Sequence, residues 1–172
     1  MPNPAMALEA AEPSRSPDAA LAGKYLVFRL GDESYGIAVL RVREIMRMTA
    51  VTAIPQMPPH VRGVINLRGR VVPVLDLRAR FGMPPIETDG RTCILVVQVA
   101  LPGGATPLMG AVVDWVEEVL PIRAEEIEQA PSFGSAARSE YVLGIAKTKG
   151  GVRILLDIDR AVGVDLPAGL EV

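Results

Sequence analysis

The sequence has almost none of the residues from which metal centres and disulfides are built. It contains one cysteine, Cys93, and one histidine, His60. A single thiol excludes an internal disulfide and a thiolate metal cage, and no second histidine stands at metal-ligand spacing. Cys93 lies inside the apolar run TCILVVQV, where a free thiol packs as a small hydrophobe. We therefore predict no metal site, and a structural or solvated His60.

Neither an excess of positive charge nor a long apolar run is present. The chain has 18 basic and 20 acidic residues, without the clustered positive charge of a nucleic-acid-binding protein. No run reaches the roughly 18 apolar residues that a membrane span needs. The opening MPNPAMALEA lacks the basic and apolar regions of a secretory signal. We expect a cytoplasmic protein that contacts neither nucleic acid nor the membrane interior.

Catalytic motifs are missing as well. The sequence has no Gly-x-Ser-x-Gly elbow and no Walker-type loop ending in Gly-Lys-Ser/Thr. Glu117 and Glu118 are adjacent, but neighbouring residues of a strand point to opposite faces, so they cannot converge on one substrate. These absences argue against an enzyme, and no catalytic residue or cofactor is predicted.

What the chain does have is a series of short β-rich segments separated by Gly and Pro. Such a series predicts a mainly β fold, a barrel or a sandwich. Two short helices are expected, at Pro58–Arg62 and Ala124–Gln129. Residues 1–23, rich in Pro and Ala, are expected to be a disordered tail, and residues 164–172 a second tail.

The strand series occurs twice. YGIAVLRVREI aligns with MGAVVDWVEEV, which places Gly36 opposite Gly110, and GVINLRGRVVPVLDL aligns with GIAKTKGGVRILLDI, which places Asp76 opposite Asp157. Internal similarity of this kind indicates one structural unit built twice. Each copy is too small to bury a core alone, so we predict two small β-barrels that share a hydrophobic seam. They would form one domain over residues 24–163, with subdomains at roughly 33–83 and 91–162.

Candidate binding residues follow the third predicted strand. As a strand, Val42 to Met46 places Val42, Glu44 and Met46 on one face, an apolar patch beside a carboxylate. The spacing of Val39, Val42 and Met46 also fits a helical stripe, although the repeat favours the strand. Taken alone, Val42 is most simply a core residue and Glu44 a solvated one.

Three further side chains stand out in loops or strand ends. Arg68 occupies the tip of a tight hairpin, NLRG, where it either faces water or is held as a rigid fork for a carboxylate or carbonyls. Phe133, in the loop APSFGS, either plugs its own barrel or anchors a partner. Trp115 is expected to pack in the seam or core.

The two repeat copies together resemble the CheW family of chemotaxis coupling proteins. The resemblance runs from about Lys24 to Val162 and is most specific in RGVINLRG followed by VVPVLDLR. It implies two five-stranded SH3-like barrels on a common core, with short helices. It also implies an adaptor between the tips of chemoreceptors and the regulatory domain of a CheA-type histidine autokinase, working at receptor arrays.

The resemblance assigns roles to the candidate residues. Val42, Glu44 and Arg68 correspond to receptor-contact positions in the groove between the barrels, and Phe133 corresponds to a kinase contact. Glu128 differs from the pattern, since a well-known member has a basic residue there. Two alternatives remain: a coupling protein of a related pathway, such as twitching or gliding motility or a developmental kinase, and a small-ligand or hydrolytic barrel that uses Glu44 and Arg68.

Overall fold

The computed structural model of the chain describes residues 20–128 and 140–162. Short strands, paired mostly antiparallel, make up about half of this part, and two short helices follow β5 and β11. The strands are β1 Gly23–Leu30, β2 Glu33–Ala38, β3 Val42–Arg47, β4 Val61–Leu67, β5 Arg70–Asp76, β6 Cys93–Gln98, β7 Leu108–Val113, β8 Trp115–Ile122, β9 Ile127–Glu128, β10 Val142–Thr148 and β11 Gly151–Leu156. The helices are α1 Leu77–Arg80 and α2 Ile158–Val162, and 3₁₀ turns span Val39–Arg41 and Ala124–Glu126.

The strands form two sheets, each of which curls on itself. The five-stranded sheet has the order β3-β6-β7-β5-β4, and the six-stranded sheet has the order β8-β1-β2-β11-β10-β9. Thr52, beyond the end of β3, exchanges two 2.9 Å backbone hydrogen bonds with Val64 of β4 and so joins the two edges of the five-stranded sheet. In the six-stranded sheet, the chain runs from β8 at one edge to β9 at the other, where β9 pairs with β10. This connection closes the second sheet. The result is two SH3-like β domains, as predicted.

The repeat is visible in the strand orders, but its two copies are interleaved. Reading β6, β7, β8, β10 and β11 as the second copy of β1 to β5 makes the two sheet orders equivalent. The five-stranded sheet then takes β6 and β7 from the second copy, while the six-stranded sheet takes β1 and β2 from the first. Parallel pairs, β5 with β7 and β11 with β2, join the contributions. The sheets therefore differ from the predicted subdomains at 33–83 and 91–162, because a repeat shows which segments are alike and not which copies pair.

Three hydrophobic clusters fill the molecule, and period-2 alternation directs side chains to them. On β1, Leu26, Phe28 and Leu30 enter a large cluster between the two sheets, while Tyr25 enters the interior of the six-stranded barrel. The strand β6 behaves likewise, since Leu95 and Val97 join the shared cluster and Ile94 and Val96 fill the five-stranded barrel. Because β1 and β6 are buried on both faces, they are nearly continuous apolar runs. The predicted hydrophobic seam is present.

Local differences from the predictions have simple causes. The predicted helix at Pro58–Arg62 is wrong: a turn at residues 59–60, with Val61 N donating to Pro58 O at 3.0 Å, leads straight into β4. Within the predicted helix at Ala124–Gln129, residues Ala124–Glu126 form a 3₁₀ turn and Ile127 and Glu128 pair with β10, while Gln129 lies outside the described residues. In both places, strand pairing outweighs a local helical preference. Residues 1–19 and 164–172 lie outside the described residues, so most of the first tail and all of the second stay predictions. The last part of the predicted 1–23 tail is wrong, because Leu21 packs against a hydrophobic cluster and Gly23 begins β1.

Candidate functional site

The β4–β5 hairpin holds an arginine in a backbone conformation that arginine rarely adopts. Leu67 pairs with Arg70, so the loop consists of Arg68 and Gly69, with φ values of 51° and 89°. Positive φ at both loop residues is the requirement of a type I′ turn, which favours Asn, Asp or Gly at the first position. The Asn66 side chain supports the turn by accepting a 2.7 Å hydrogen bond from Gly69 N. The sequence thus keeps an arginine where the local geometry disfavours it.

The strand interpretation of Val42 to Met46 is confirmed. In β3, Val42, Glu44 and Met46 are half-buried, whereas the intervening Arg43 and Ile45 are exposed. A β-bulge between Val42 and Glu44 shifts the pairing with β6. Val42 packs against the shared cluster and Met46 against the interior of the five-stranded barrel. Glu44 lies between them along the strand.

Glu44 and Arg68 form a two-pronged ion pair. Arg68 Nη2 lies 2.6 Å from Glu44 Oε1, and Nη1 lies 3.4 Å from Oε2. Glu44 lies on the edge strand β3 and Arg68 directly follows β4 at the opposite edge of the five-stranded sheet, and barrel closure brings the two edges together. The Arg68 side chain remains 73% exposed, so the pair lies at the surface. Sequence reasoning selected both residues but did not pair them.

This pairing predicts a measurable titration. The hydrogen bond from Arg68 holds the pKa of the Glu44 carboxyl below its ordinary value. A lowered pKa means that the pair is intact above the ordinary glutamate pKa and is lost as the pH falls through the lowered one. Carboxyl-carbon NMR should therefore show Glu44 titrating below an ordinary glutamate, with the midpoint rising in Arg68→Ala. The exposed neighbour Arg70 is the control, and a Glu44 midpoint unmoved by Arg68→Ala would contradict the pairing.

Exposed apolar side chains lie close to this pair along the chain. Leu40, in the 3₁₀ turn before β3, is 83% exposed, and Ile45 is 47% exposed. The same turn contributes to a largely apolar cavity of about 320 Å³, lined by residues 20–25 and 38–40. A smaller cavity lies beside Arg78 and Asp114. Glu44 and Arg68 line neither of these two cavities.

Three residues singled out in the sequence remain: Phe133, Glu128 and Trp115. Phe133 lies outside the described residues. Glu128 lies 2.8 Å from Lys147 Nζ on the neighbouring strand β10. Trp115 is half-buried, with the guanidinium carbons of Arg29 and Arg91 5.9 and 5.0 Å from its ring centre. Its expected place in the core is thus only partly realised.

Three observations on the described part of the chain concern metal binding, membrane-spanning helices and the single thiol. Within residues 20–128 and 140–162, no group of three His, Cys, Asp or Glu side chains is arranged to hold a metal ion. No helix in the same ranges is long and apolar enough to cross a membrane. Burial raises the pKa of the Cys93 thiol, the opposite of what a reactive cysteine needs.

Comparison with known proteins identifies the family. The model of the CheW-like domain matches residues 24–164. The chemotaxis protein CheW of Klebsiella aerogenes is 37% identical over 137 residues, which cover 80% of each chain. The protein FrzA of Myxococcus xanthus is 32% identical over 143 residues, 78% of this chain and 84% of FrzA. The crystal structure of the scaffolding protein TtCheW from Thermoanaerobacter tengcongensis superposes with a TM-score of 0.74 at 33% identity, covering 84% of this chain and 94% of that one. The chain belongs to the CheW family of chemotaxis coupling adaptors.

Proposed function

We propose that this protein is a non-enzymatic adaptor that joins the helical tips of chemoreceptors to the regulatory domain of a CheA-type histidine autokinase. It would work in the cytoplasm and be recruited to membrane-receptor arrays. The observation that carries the receptor-binding part is the Arg68 fork, which is exposed, fixed by a type I′ turn and oriented by Glu44.

The geometry of Arg68 suits recognition of a protein surface. Guanidinium has five N–H donors, and the two contacts to Glu44 leave further donors facing solvent. A receptor helix could present carboxylates or free backbone carbonyls to these donors. Because the turn already restricts the backbone of Arg68, less conformational entropy is lost on binding than for a flexible loop.

The apolar side chains beside the ion pair fit one face of a helix. Leu40 is exposed and Val42 is half-buried just before Glu44, and the 320 Å³ cavity adjoins Leu40, whereas Ile45 lies on the opposite face of β3. An amphipathic helix binds through apolar residues at helical spacing, with polar groups fixing its orientation. We assign Val42, Glu44 and Arg68 to receptor binding on this basis.

For the kinase, the proposed contact is Phe133, an assignment that rests on the family resemblance. The neighbouring Glu128 is held by Lys147 across the β9–β10 pair. An acidic residue at this position, in place of the basic residue of a well-known member, changes the charge offered to a partner. We propose that the kinase contact of this chain differs in charge pairing from that member's.

Removing the Arg68 side chain tests the receptor-binding assignment. Arg68→Ala should weaken binding of a soluble receptor signalling fragment about fivefold or more, since interface arginines are frequent hot spots. Titration calorimetry or fluorescence anisotropy with the purified full chain measures this. Arg70→Ala removes another exposed positive charge from the same hairpin and should leave affinity within about twofold. If both variants bind as the wild type does, Arg68 is not a receptor contact.

A related pathway is the second candidate, because the relatives include FrzA as well as chemotaxis proteins. In such a pathway, the adaptor mechanism would be unchanged and only the receptors and kinase would differ. A deletion strain separates the two: loss of swimming chemotaxis supports the first, and a defect limited to surface motility or development supports the second.

A further inference from the structure

Hydrogen bonds from Arg41 fix the 3₁₀ turn Val39–Arg41, which leads into β3, the strand proposed to dock the receptor. We call this arrangement the Arg41 clasp. Arg41, the last residue of this turn, donates through Nε to Gln98 O at 3.0 Å and through Nη2 to the carboxylate of Asp159 in α2. Asp159 also accepts a 2.7 Å hydrogen bond from Ala100 N. Arg41 directly precedes Val42, so this clasp ties the start of β3 to the helix that follows β11.

The second copy of the repeat has an equivalent clasp with its charges reversed. Asp114, between β7 and β8, accepts two 2.8 Å hydrogen bonds from Arg78 of α1. It also accepts a 2.7 Å bond from Gly31 N, just as Asp159 does from Ala100 N. In each clasp, a carboxylate captures an arginine together with the backbone N–H that follows β1 or β6. The recurrence with opposite polarity indicates that the connection itself, rather than either charge, is required.

The two clasps differ in burial. The Arg78 and Asp114 side chains are 11% and 14% exposed, whereas those of Arg41 and Asp159 are both 31% exposed. Water reaches the Arg41 clasp, so its loss costs less folding free energy than loss of the buried one. It is also the clasp beside Leu40 and Val42. A substitution of Arg41 or Asp159 should therefore perturb β3 more than it perturbs the overall fold.

We propose that Arg41 and Asp159 are positioning residues for receptor binding, which hold the Val39–Arg41 turn in the conformation that presents Leu40 and Val42. This inference rests on the proposed receptor-binding function. The two residues need not touch the receptor, since they act through the backbone of the turn. Arg41 thereby couples α2 and the β6–β7 connection to the docking surface.

The test combines receptor affinity with local hydrogen exchange. Asp159→Asn keeps an oxygen that can accept from Ala100 N but removes the charge, and Arg41→Lys keeps the charge but cannot reach Gln98 and Asp159 together. Each variant should weaken binding of the receptor fragment about threefold or more. Each should also speed amide hydrogen exchange at residues 39–42. The melting temperature should fall far less than in Asp114→Ala, and the affinity for the kinase regulatory domain should stay at the wild-type value. Arg160→Ala, an exposed change in the same helix, is the control.

The outcomes separate this inference from the function it rests on. The double variant, which combines Arg41→Lys with Asp159→Asn, should bind the receptor fragment no more weakly than either single variant. This result would show that Arg41 and Asp159 act as one unit. Wild-type affinity together with faster exchange at residues 39–42 would overturn the positioning role and leave receptor binding standing. A parallel loss of kinase-domain binding would also overturn it, by showing a general structural role. A wild-type chain that does not bind the receptor fragment would overturn both proposals.

Discussion

Replacing Gly63 by alanine should destabilise the protein by about 3 to 5 kcal/mol or prevent its folding, the upper range for single substitutions. Gly63 has a φ of 138°, and a Cβ there would lie 2.0 Å from Thr52 O and 2.7 Å from Thr52 C. Both are backbone atoms of the segment that closes the five-stranded barrel, so no side-chain rotation relieves the overlap. The closing hydrogen bonds between Thr52 and Val64 would have to break.

Gly69→Ala is the matched control for this prediction. Gly69 also has positive φ, at 89°, but a Cβ there would meet nothing within 4 Å. It should therefore cost only backbone strain, about 1 kcal/mol. Chemical denaturation of the two variants measures the difference. Equal losses of unfolding free energy in the two variants would show that the close approach of Thr52 is not the reason for a glycine at position 63.

Asp114→Ala should cost about 3 to 5 kcal/mol of unfolding free energy, because it leaves the Arg78 guanidinium, whose side chain is only 11% exposed, without its counter-ion. Asp114 joins Arg78 of α1 and the amide of Gly31, so the substitution also orphans a backbone donor. The comparison pair is Arg123 and Glu125, 3.5 Å apart with side chains 70% and 68% exposed. Glu125→Ala should change stability by less than about 0.5 kcal/mol. Similar losses in the two variants would contradict the role of burial.

The same carboxylate should leave a signature in the acid limb of the stability profile. Burial alone raises the pKa of Asp114, but hydrogen bonds from Arg78 and Gly31 outweigh it and leave the pKa below its ordinary value. A lowered folded-state pKa stabilises the protein above the unfolded-state pKa, and this stabilisation is lost as pH falls through the folded-state pKa. Asp114→Asn should therefore show a shallower fall in stability with acid than the wild type. An unchanged slope would exclude Asp114 as a contributor.

Much of the architecture follows from local pattern. The alternating and continuous apolar runs predicted the strands, and the repeat predicted two barrels with a shared core. The interleaving was not predictable, because the choice of β7 rather than a first-copy strand as the partner of β5 is made by long-range packing. The predicted helix at Pro58–Arg62 is wrong for a local reason. The prolines at its start favour a helix, but β4 already begins at Val61.

The site was predictable residue by residue but not as an arrangement. Arg68 and Glu44 were selected from a turn motif and a strand face, yet their contact depends on barrel closure across 24 residues of sequence. Arg41 and Asp159 are 118 residues apart and carry no local signal of their pairing. Aligning the copies could have drawn attention to Asp114, because a charged residue stands there opposite the apolar Leu40. Phe133 lies outside the described residues, so its role stays a prediction.

The exchange of strand pairs between the copies means that a cut between the two copies leaves both barrels incomplete. A fragment ending after α1 would keep β3, β4 and β5 but lack β6 and β7, leaving the inner edges of β3 and β5 unpaired. Unpaired edges of this kind invite association with other chains. Each barrel contains strands from both copies, so a partner that binds either barrel contacts a structure built by both halves of the sequence.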